Sequence, residues 1–412
     1  MKKKPNRQPS QRQATVLRQL VELIPPHLTP KLARQFGVDE KARTFSPFSH
    51  VVALLYAQLS HALSLNDVCD GLRMQATPLK ALRDARPPSR NALSHANKSR
   101  NCEMAEALFW AVLEHLQQSF PAFHHGANPR GVRRFRRPIH IIDATVIGLI
   151  ASCVDWANHN RRKAAIKCHM RLSLRSLLPS FAFIDSAREH DVQQVQRLCA
   201  NLERGEVVLC DKGYHLMAHF YQLTQRGVFF VSRARENVRF KVVGHHPASN
   251  DPQILKDEYV VTTGESVEGD YPEKLRRVTA RVQVDGKPCE LTFLTNNFTW
   301  SASSIAELYR CRWQIEAFFK QIKQTLQLTN FLGHSANAVR WQIWMALLTY
   351  VLLRFVAWSS GWQHSFSRLF TFLRSALWLP RDLQRFLRYG TADGDYRYLD
   401  PPAQRWLPGF LV

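Results

Sequence analysis

Apolar residues recur every three or four positions through much of the first third of the chain. The segments VLRQLVELI, HVVALLYAQLSHAL and EMAEALFWAVLEHL, all within residues 14–120, have this spacing, which is typical of helices with one buried face. We therefore expect an α-helical N-terminal domain over residues 14–125, preceded by a basic tail at residues 1–13.

Two shorter, more polar segments in this domain, SLNDVCDGLRM (64–74) and RPPSRNALSHANKSR (86–100), predict a pair of helices joined by a Pro-containing connection. Ser64 and Ser89 are suitable N-caps. The second helix would present side chains suited to phosphates and base edges, as in a helix-turn-helix: Arg90, Asn91, Ser94, His95 and Lys98. Short polar helices are also common in proteins that bind no DNA, so an ordinary surface helix remains an alternative.

The periodicity changes after FPAFHHGANPRGVRRFRRP, a basic loop whose residues 126–138 we interpret as a linker able to follow a DNA backbone. Three strand-like segments come next: IHIIDATVIGLI (139–150), KCHMRLSL (167–174) and SFAFIDSA (180–187). Helices and strands then alternate, with a helix at 191–202, a strand in 206–214, a helix at 216–227 and a strand at 228–234. This order predicts an α/β layer architecture.

Residues 236–298 interrupt that alternation with strands alone. RVTARVQV and CELTFLTN, joined at Asp285-Gly286, predict a β-hairpin, so we interpret this stretch as a β insertion. The helix that follows has a capping box formed by Ser304 and Glu307, which predicts its start.

The charge of the chain adds a partner to this picture. Its 412 residues include 56 Lys and Arg against 33 Asp and Glu, a net charge of +23. Such an excess favours a polyanionic partner, above all nucleic acid, over the alternatives of a membrane-surface protein or a merely basic enzyme.

Two further features bear on the compartment. The eight cysteines are scattered singly, without a CxxC pair, so no disulfide framework or zinc ribbon is implied and a reduced, cytoplasmic setting fits. The apolar stretch at residues 343–358 is about one helical turn short of a membrane span and carries Arg354, so we expect a buried core helix.

The segment YRCRWQIEAFFKQIKQ (309–324) places polar side chains at a regular spacing. Tyr309, Arg312, Glu316 and Lys323 fall within an arc of roughly 60° on a helix with 100° per residue. A neighbouring arc is apolar: Leu308, Ile315, Phe318, Phe319, Ile322 and Leu326. The alternative is a surface helix with an ordinary Arg312–Glu316 pair, which would be worth only a few tenths of a kcal/mol.

Two aspartates lie at the ends of predicted strands, Asp143 after IHII and Asp211 after VVLC. Strand ends of an α/β sheet point into the crevice where ligands bind, although an aspartate there can also simply start a turn. Glu316 changes this balance, because three carboxylates are what two Mg²⁺ ions need, with Mn²⁺ as a possible substitute.

The order Asp143, Asp211, then Y-x2-R-x3-E-x6-K at 309–323 resembles the DDE transposases of bacterial insertion sequences, and more narrowly their insertion-sequence-4 family. The surrounding segments IDATVI, CDKGY and AELYRCRWQIEAFFKQIK are similar too. The resemblance implies an RNase H-like catalytic domain in which Asp143, Asp211 and Glu316 are catalytic and bind metal. It also implies that Tyr309, Arg312 and Lys323 hold DNA near the cleavage site.

This resemblance completes the expected organisation. An RNase H-like core, first part at 139–235 and last part with the Glu helix at 299–335, would surround the β insertion at 236–298, with a C-terminal helical region at 336–412. Further DNA contacts are expected from Lys320 and, in the N-terminal domain, from Arg90 and Lys98.

The expected function is that of a DNA transposase. It would bind the inverted-repeat ends of an insertion sequence, cleave strands with metal ions and transfer the 3′-OH into target DNA. A homodimer is expected at least on DNA. The expected compartment is the cytoplasm, with the protein at the nucleoid when it is bound to DNA. A catalytically inactive or domesticated DNA-binding relative, and a nuclease that cannot join strands, are the alternatives.

Four nearby residues receive structural interpretations. Trp313 is expected to pack in the core rather than to stack on a ligand, and His169 to be a sheet residue with its hydrogen bonds satisfied. Lys212 is expected to be a solvated loop residue. Asp191, together with His190 before it, is expected to cap a helix that begins at Val192 rather than to bind metal.

Overall fold

The computed structural model describes residues 14–38, 44–125, 135–149, 153, 157–160, 163–186, 191–236, 238–247, 249–263, 271–284, 287–326, 328 and 331–394. The predicted basic tail, most of the predicted linker and the Asp285-Gly286 turn lie outside these residues. The chain forms two compact units, a helical unit of Met1–Phe123 with Gln321–Val412, and a sheet unit of His124–Lys320.

The helices are α1 (Val16–Glu22), α2 (Leu28–Gln35), α3 (Pro47–Ser60), α4 (Leu65–Met74), α5 (Ala76–Lys80), α6 (Arg90–Ser99), α7 (Glu103–Ser119), α8 (Pro121–His125), α9 (Asp191–Leu198), α10 (Met217–Gln225), α11 (Ala302–Cys311), α12 (Trp313–Lys320), α13 (Ala336–Ser360), α14 (Phe366–Ala376) and α15 (Leu383–Tyr389). A 3-10 turn at Lys212–Tyr214 and a π-helical turn at Gln321–Thr325 are additional.

The strands are β1 (Ile139–Leu149), β2 (Asn158–Asn160), β3 (Lys163–Ser173), β4 (Pro179–Ser186), β5 (Val207–Cys210), β6 (Phe229–Arg233), β7 (Phe240–His245), β8 (Ile254–Thr262), β9 (Leu275–Val284) and β10 (Lys287–Thr295).

The helical unit is organised around α13, which packs against α3, α6 and α7. By length and composition α13 could cross a membrane, but 78% of its most apolar window is buried by the rest of the protein. The expectation of a core helix at 343–358 is confirmed. Segments from both ends of the sequence meet in this unit, since the Leu17 N–H donates to the Leu377 carbonyl at 2.8 Å.

The two polar helices predicted in this unit are α4 and α6, and their N-caps are confirmed. The Ser64 side chain accepts from the Asp67 N–H while Asp67 accepts from the Ser64 N–H, a complete capping box. The Ser89 side chain accepts from the Ala92 N–H. The connection contains α5, a short helix that the sequence did not predict.

The sheet of the second unit has ten strands in the order β2-β3-β1-β5-β6-β10-β9-β8-β7, with β4 also paired to β3. Strands β1, β5 and β6 are parallel, whereas β3 is antiparallel to β1 and β4 is antiparallel to β3. Three antiparallel strands followed by parallel strands with intervening helices form an RNase H-like sheet, as expected.

One face of this sheet is covered by α9 and α10 through apolar side chains, among them Val195, Leu198, Phe220 and Phe230. Burial of such side chains contributes about 25 cal/mol per Å² of apolar area. Helices α11 and α12 pack on the opposite face, α11 against β6 and β9 and α12 against β1.

The four strands β7 to β10 extend the sheet beyond β6, and in sequence they lie between β6 and α11. The predicted hairpin is formed by β9 and β10, whose pairing runs from Lys287 opposite Val284 to Thr295 opposite Arg276. The predicted capping box at the start of the next helix is wrong. Helix α11 begins at Ala302, and its N-cap is Ser301, whose side chain accepts from the Ser304 N–H. Ser304 therefore lies inside the first turn.

Candidate active site

Two neighbouring parallel strands carry the predicted aspartates. Strands β1 and β5 pair Ile139 with Val207 and Ile141 with Leu209, a constant offset of 68 residues. Asp143 and Asp211 have the same offset, since 211 − 143 = 68. Asp211 comes directly after the last residue of β5, so the register places both aspartates at equivalent positions where the two strands run side by side. Alternation along a strand then directs both carboxylates to the same face.

Helices α11 and α12 lie on that face and meet at Arg312. The Arg312 N–H donates to the Tyr309 carbonyl, and the Ile315 N–H donates to the Arg312 carbonyl, both three residues back along the chain. This tight turn divides the helix that the sequence predicted as continuous. The predicted apolar arc is confirmed as buried, each side chain being at most 6% exposed: Leu308, Ile315, Phe318, Phe319, Ile322 and Leu326.

Three contacts connect the helices with the carboxylates. The Tyr309 hydroxyl donates to Asp211 Oδ1 at 3.1 Å. Arg312 Nη2 donates to Glu316 Oε1 at 2.7 Å, and Arg312 Nη1 lies 3.5 Å from Asp143 Oδ2. The Arg312 side chain is 7% exposed, whereas that of Glu316 is 56% exposed. Because the Arg312 guanidinium also lies 5.5 Å from the centroid of the Tyr309 ring, the structure brings five of the predicted site residues into one contact network.

Burial makes this network electrostatically demanding. It raises the pKa of Asp143 to about 7, against the opposing effect of the Ala144 N–H and of Arg312, and the charges of Asp211 and Glu316 raise it further. Burial also raises the pKa of the Tyr309 hydroxyl, so Tyr309 is a hydrogen-bond donor at neutral pH. A cationic partner at the carboxylates would therefore be stabilising.

The donor set suits a hard divalent cation, because Asp143, Asp211 and Glu316 offer carboxylate oxygens. In the described part of the chain, no three His, Cys, Asp or Glu side chains are grouped so that they could hold one metal ion. Arg312, rather than direct proximity, joins Asp143 and Glu316. The two aspartates, at equivalent strand positions, are consistent with a shared ion. Glu316 is connected to Asp143 through the Arg312 guanidinium, which contacts both carboxylates.

The other predicted DNA contacts lie in different places. Lys320 is exposed at the end of α12. Lys323 lies in the π-helical turn, which belongs to the helical unit. Arg90 and Lys98 are exposed on α6, also in the helical unit. The roles of these four residues stay predictions.

A basic cleft next to Asp211 was missed by the sequence reasoning. Its volume is about 400 Å³, and its lining includes three cations, Lys212, Arg233 and Arg235, and one acid, Glu236. The Arg235 Nε donates to the Lys212 carbonyl at 2.9 Å. The available signal was positional, because β6 is parallel to β5 and ends at the same edge of the sheet as β5, which Asp211 directly follows.

Three interpretations of neighbouring residues are corrected. Trp313, the first residue of α12, is 37% exposed and therefore does not pack in the core. His169 is buried against Phe183, with a ring separation of 4.8 Å, but neither ring nitrogen has a hydrogen-bond partner among the described residues. Asp191 is the first residue of α9, and it accepts from Lys167 Nζ at 3.1 Å. Lys212 is exposed, as expected.

An RNase H-like sheet with aspartates on two adjacent parallel strands, and a glutamate on the helix that follows, defines the class of DDE-type domains. The chain belongs to the DDE transposase family: the model described as "Transposase DDE domain" matches residues 134–352, more than half of the 412 residues. A model for a domain of unknown function matches residues 12–82. The resemblance stated from the sequence motifs is confirmed.

The chain is similar to a putative transposase, y4zB, of Sinorhizobium fredii (strain NBRC 101917 / NGR234), with 35% identity over 55% of this chain and 62% of that protein. It is also similar to transposase InsG for insertion sequence element IS4 of Escherichia coli (strain K12), with 24% identity over 46% of this chain and 43% of that protein. The chain thus spans less than two thirds of the length of either relative.

Among solved structures, a piggyBac transposase in a synaptic complex with hairpin DNA aligns with 94% of this chain and 80% of its own. The identity is 10% and the TM-score is 0.43, a likeness too low to support conclusions about this chain.

Proposed function

We propose that this protein is a DNA transposase that binds the inverted-repeat ends of an insertion sequence, cleaves strands there and transfers the 3′-OH into target DNA. Membership of the DDE transposase family and the net charge of +23 support this proposal. The observation that carries it is the matched position of Asp143 and Asp211 on β1 and β5, with Arg312 connecting Asp143 to Glu316.

Asp143, Asp211 and Glu316 are the proposed catalytic, metal-holding residues. DDE transposases generally use a divalent metal, and we infer two Mg²⁺ ions, with Mn²⁺ as a substitute. When bound, such ions lower the pKa of an attacking water or 3′-hydroxyl and stabilise the departing 3′-oxygen.

The residues around the carboxylates are proposed to hold the DNA backbone. The Arg312 guanidinium can bind a phosphate through two N–H groups, and Tyr309 adds a hydroxyl donor and a ring face. Lys320 and Lys323 are proposed to add positive point charges along the DNA strand. The cleft lined by Lys212, Arg233 and Arg235 would accept a further phosphate beside Asp211.

The assembly and compartment follow from the same proposal. Joining two transposon ends requires two active sites, so we infer a homodimer at least in the complex with DNA. The eight cysteines are scattered singly along the sequence, without a CxxC pair, which agrees with a reducing cytoplasm where the protein would bind nucleoid DNA.

The test is cleavage of plasmid DNA that contains the gene with its flanking sequence, in Mg²⁺ and in EDTA. We expect Asp143→Asn, Asp211→Asn and Glu316→Gln each to lower cleavage at least about 100-fold, because each removes a ligand on which the chemistry depends. Glu290→Gln, an exposed acid on β10, is the matched control and should cleave like wild type.

The products separate the alternatives. Joined strand-transfer products support a transposase, whereas nicks without joining would identify a nuclease. Full DNA binding without any metal-dependent cleavage by the wild type would identify an inactive or domesticated relative. Cleavage that survives Asp211→Asn would remove the proposed site.

A further inference from the structure

Helix α6 has a polar, exposed face. Its buried residues are Leu93, Ala96 and Asn97, and its other face exposes Arg90, Asn91, Ser94, His95 and Lys98. At 100° per residue, Ser94, Lys98 and Asn91 lie in that order between Arg90 and His95 around the helix. The centre of the exposed face therefore carries two short side chains that both donate and accept hydrogen bonds, with Lys98 between them in angle but one turn beyond Ser94 along the axis.

The buried side of α6 is fixed by hydrogen bonds within the helical unit. Asn97 Oδ1 lies 2.8 Å from His50 Nε2. The Asn337 side-chain amide donates to the Asn97 and Arg100 carbonyls at 2.8 and 2.7 Å, and Trp341 Nε1 donates to the Arg100 carbonyl at 2.8 Å. A helix held by these bonds has little backbone entropy left to lose on binding.

The charge of this segment complements DNA. Residues 85–100 contain four Arg or Lys and no Asp or Glu. Arg90 and Lys98 are eight residues apart, which is roughly 12 Å along a helix axis. The major groove of B-DNA is about 12 Å wide and admits a helix. Cations near both ends of α6 can therefore reach phosphates on the two sides of the groove.

We propose that α6 enters the major groove of the transposon-end DNA and reads its sequence there. Asn91 and Ser94 contact base edges, and Arg90 and Lys98 contact flanking phosphates. An amide such as that of Asn91 can pair with the N6 and N7 edge of adenine. The assignment rests on the proposed transposase function, and it names the residues by which that function selects its DNA.

The experiment is binding-site selection by the full-length chain from a pool of randomised 25-base-pair duplexes in EDTA, where cleavage is excluded. We expect wild type to enrich one motif. The double variant Asn91→Ala, Ser94→Ala should lose discrimination between that motif and a scrambled duplex by about 5- to 100-fold, the range for base-edge contacts. Its affinity for the scrambled duplex should stay within about 2-fold of wild type.

The phosphate contacts predict a different response. Arg90→Ala and Lys98→Ala should weaken binding to every duplex, and each should reduce the slope of log K against log salt by about one. The matched controls are on α2 of the same unit, where Lys31, Arg34 and Gln35 are exposed. Their alanine variants should change neither the motif nor the slope.

Two results would overturn the inference: an unchanged motif with unchanged discrimination in the Asn91, Ser94 variant, or a wild type that enriches no motif. Both are distinguishable from failure of the proposed function, because cleavage of flanking DNA is measured separately and depends on Asp143, Asp211 and Glu316. A protein that reads a motif but never cleaves would keep the inference on α6 as a DNA reader and remove the transposase proposal.

Discussion

Arg312 lies between Asp143 and Glu316 and is almost fully buried. A buried guanidinium needs anionic partners, since leaving water without them costs several kcal/mol. Asp143 in turn is poorly solvated, and its burial is the main reason why its pKa rises to about 7, with smaller contributions from the charges of Asp211 and Glu316. The Arg312 cation and the carboxylates each lower the free-energy cost of burying the other, so the network is held together by opposite charges.

Replacing Arg312 tests this balance. Arg312→Ala should lower the free energy of unfolding of the sheet unit by about 1–3 kcal/mol, less than the 3–5 kcal/mol of a fully broken buried pair, because Asp143 can take up a proton. Urea unfolding in EDTA at pH 7.5 measures the change. Arg310→Ala, its exposed neighbour, is the control and should stay within about 0.5 kcal/mol of wild type. Equal losses in both variants would contradict a specific role for Arg312.

At the scale of elements, the division of one predicted helix into α11 and α12 matters most. The segment contains no Gly or Pro near Arg312, so local sequence signals did not predict the turn. Both helices bury their apolar side chains, and the turn lets Tyr309 and Arg312 reach different aspartates. The demands of packing on the sheet therefore override a local preference for a continuous helix.

The start of α11 provides a test that distinguishes the predicted cap from the observed one. Ser301→Ala should destabilise the sheet unit by about 0.5–2 kcal/mol, because the Ser304 N–H loses its acceptor. Ser304→Ala should cost no more than about 0.5 kcal/mol, since its backbone N–H stays bonded. Urea midpoints of the two variants decide, and the reverse order would restore the capping box predicted from the sequence.

At the scale of the molecule, the sheet unit lies in sequence between the two segments that form the helical unit. Residues 124–320 form the sheet unit, and the helices before and after it pack into a single unit through α13. The sequence predicted helices in both flanking regions, but it assigned them to separate segments. Which distant helices share a core depends on complementary surfaces, and these are not visible in the periodicity of either segment.

Buried histidines are common to both units. Burial lowers the pKa of His50 to about 3 and the pKa values of His169, His215 and His219 to about 4. The unfolded chain binds these protons near pH 6.5, so protonation favours unfolding between about pH 6.5 and 4. Stability from these neutral histidines is therefore present above pH 6.5 and is lost as the pH falls.

We expect the buried histidines to make the sheet unit less stable at pH 5.0 than at pH 7.5, by about 1–3 kcal/mol for each, because the unfolded chain takes up protons that the folded unit does not bind. Protonation of Asp143, whose pKa is raised to about 7, offsets part of this loss. His169→Phe should reduce this difference, since it keeps an aromatic ring against Phe183 and removes one titrating group. His245→Gln, at an exposed position on β7, should leave the difference unchanged. Urea unfolding at the two pH values measures both, and an undiminished pH effect in His169→Phe would contradict the explanation.

Much was determined by the sequence alone. The change of period from helix to strand, the hairpin, the caps at Ser64 and Ser89 and the motif from Tyr309 to Lys323 are local, so spacing and side-chain chemistry were enough to predict them. They also identified the family, which the comparison confirmed. The roles proposed for Asp143, Asp211 and Glu316 come from the same motifs.

The features that depend on the fold as a whole are non-local. The register that places Asp143 beside Asp211, the turn at Arg312, the exposure of Trp313 and the union of the two helical segments all depend on pairing between residues far apart in sequence. Such pairings are selected by the fit of surfaces and by the cost of burying unpaired charge. Neither can be read from a single segment.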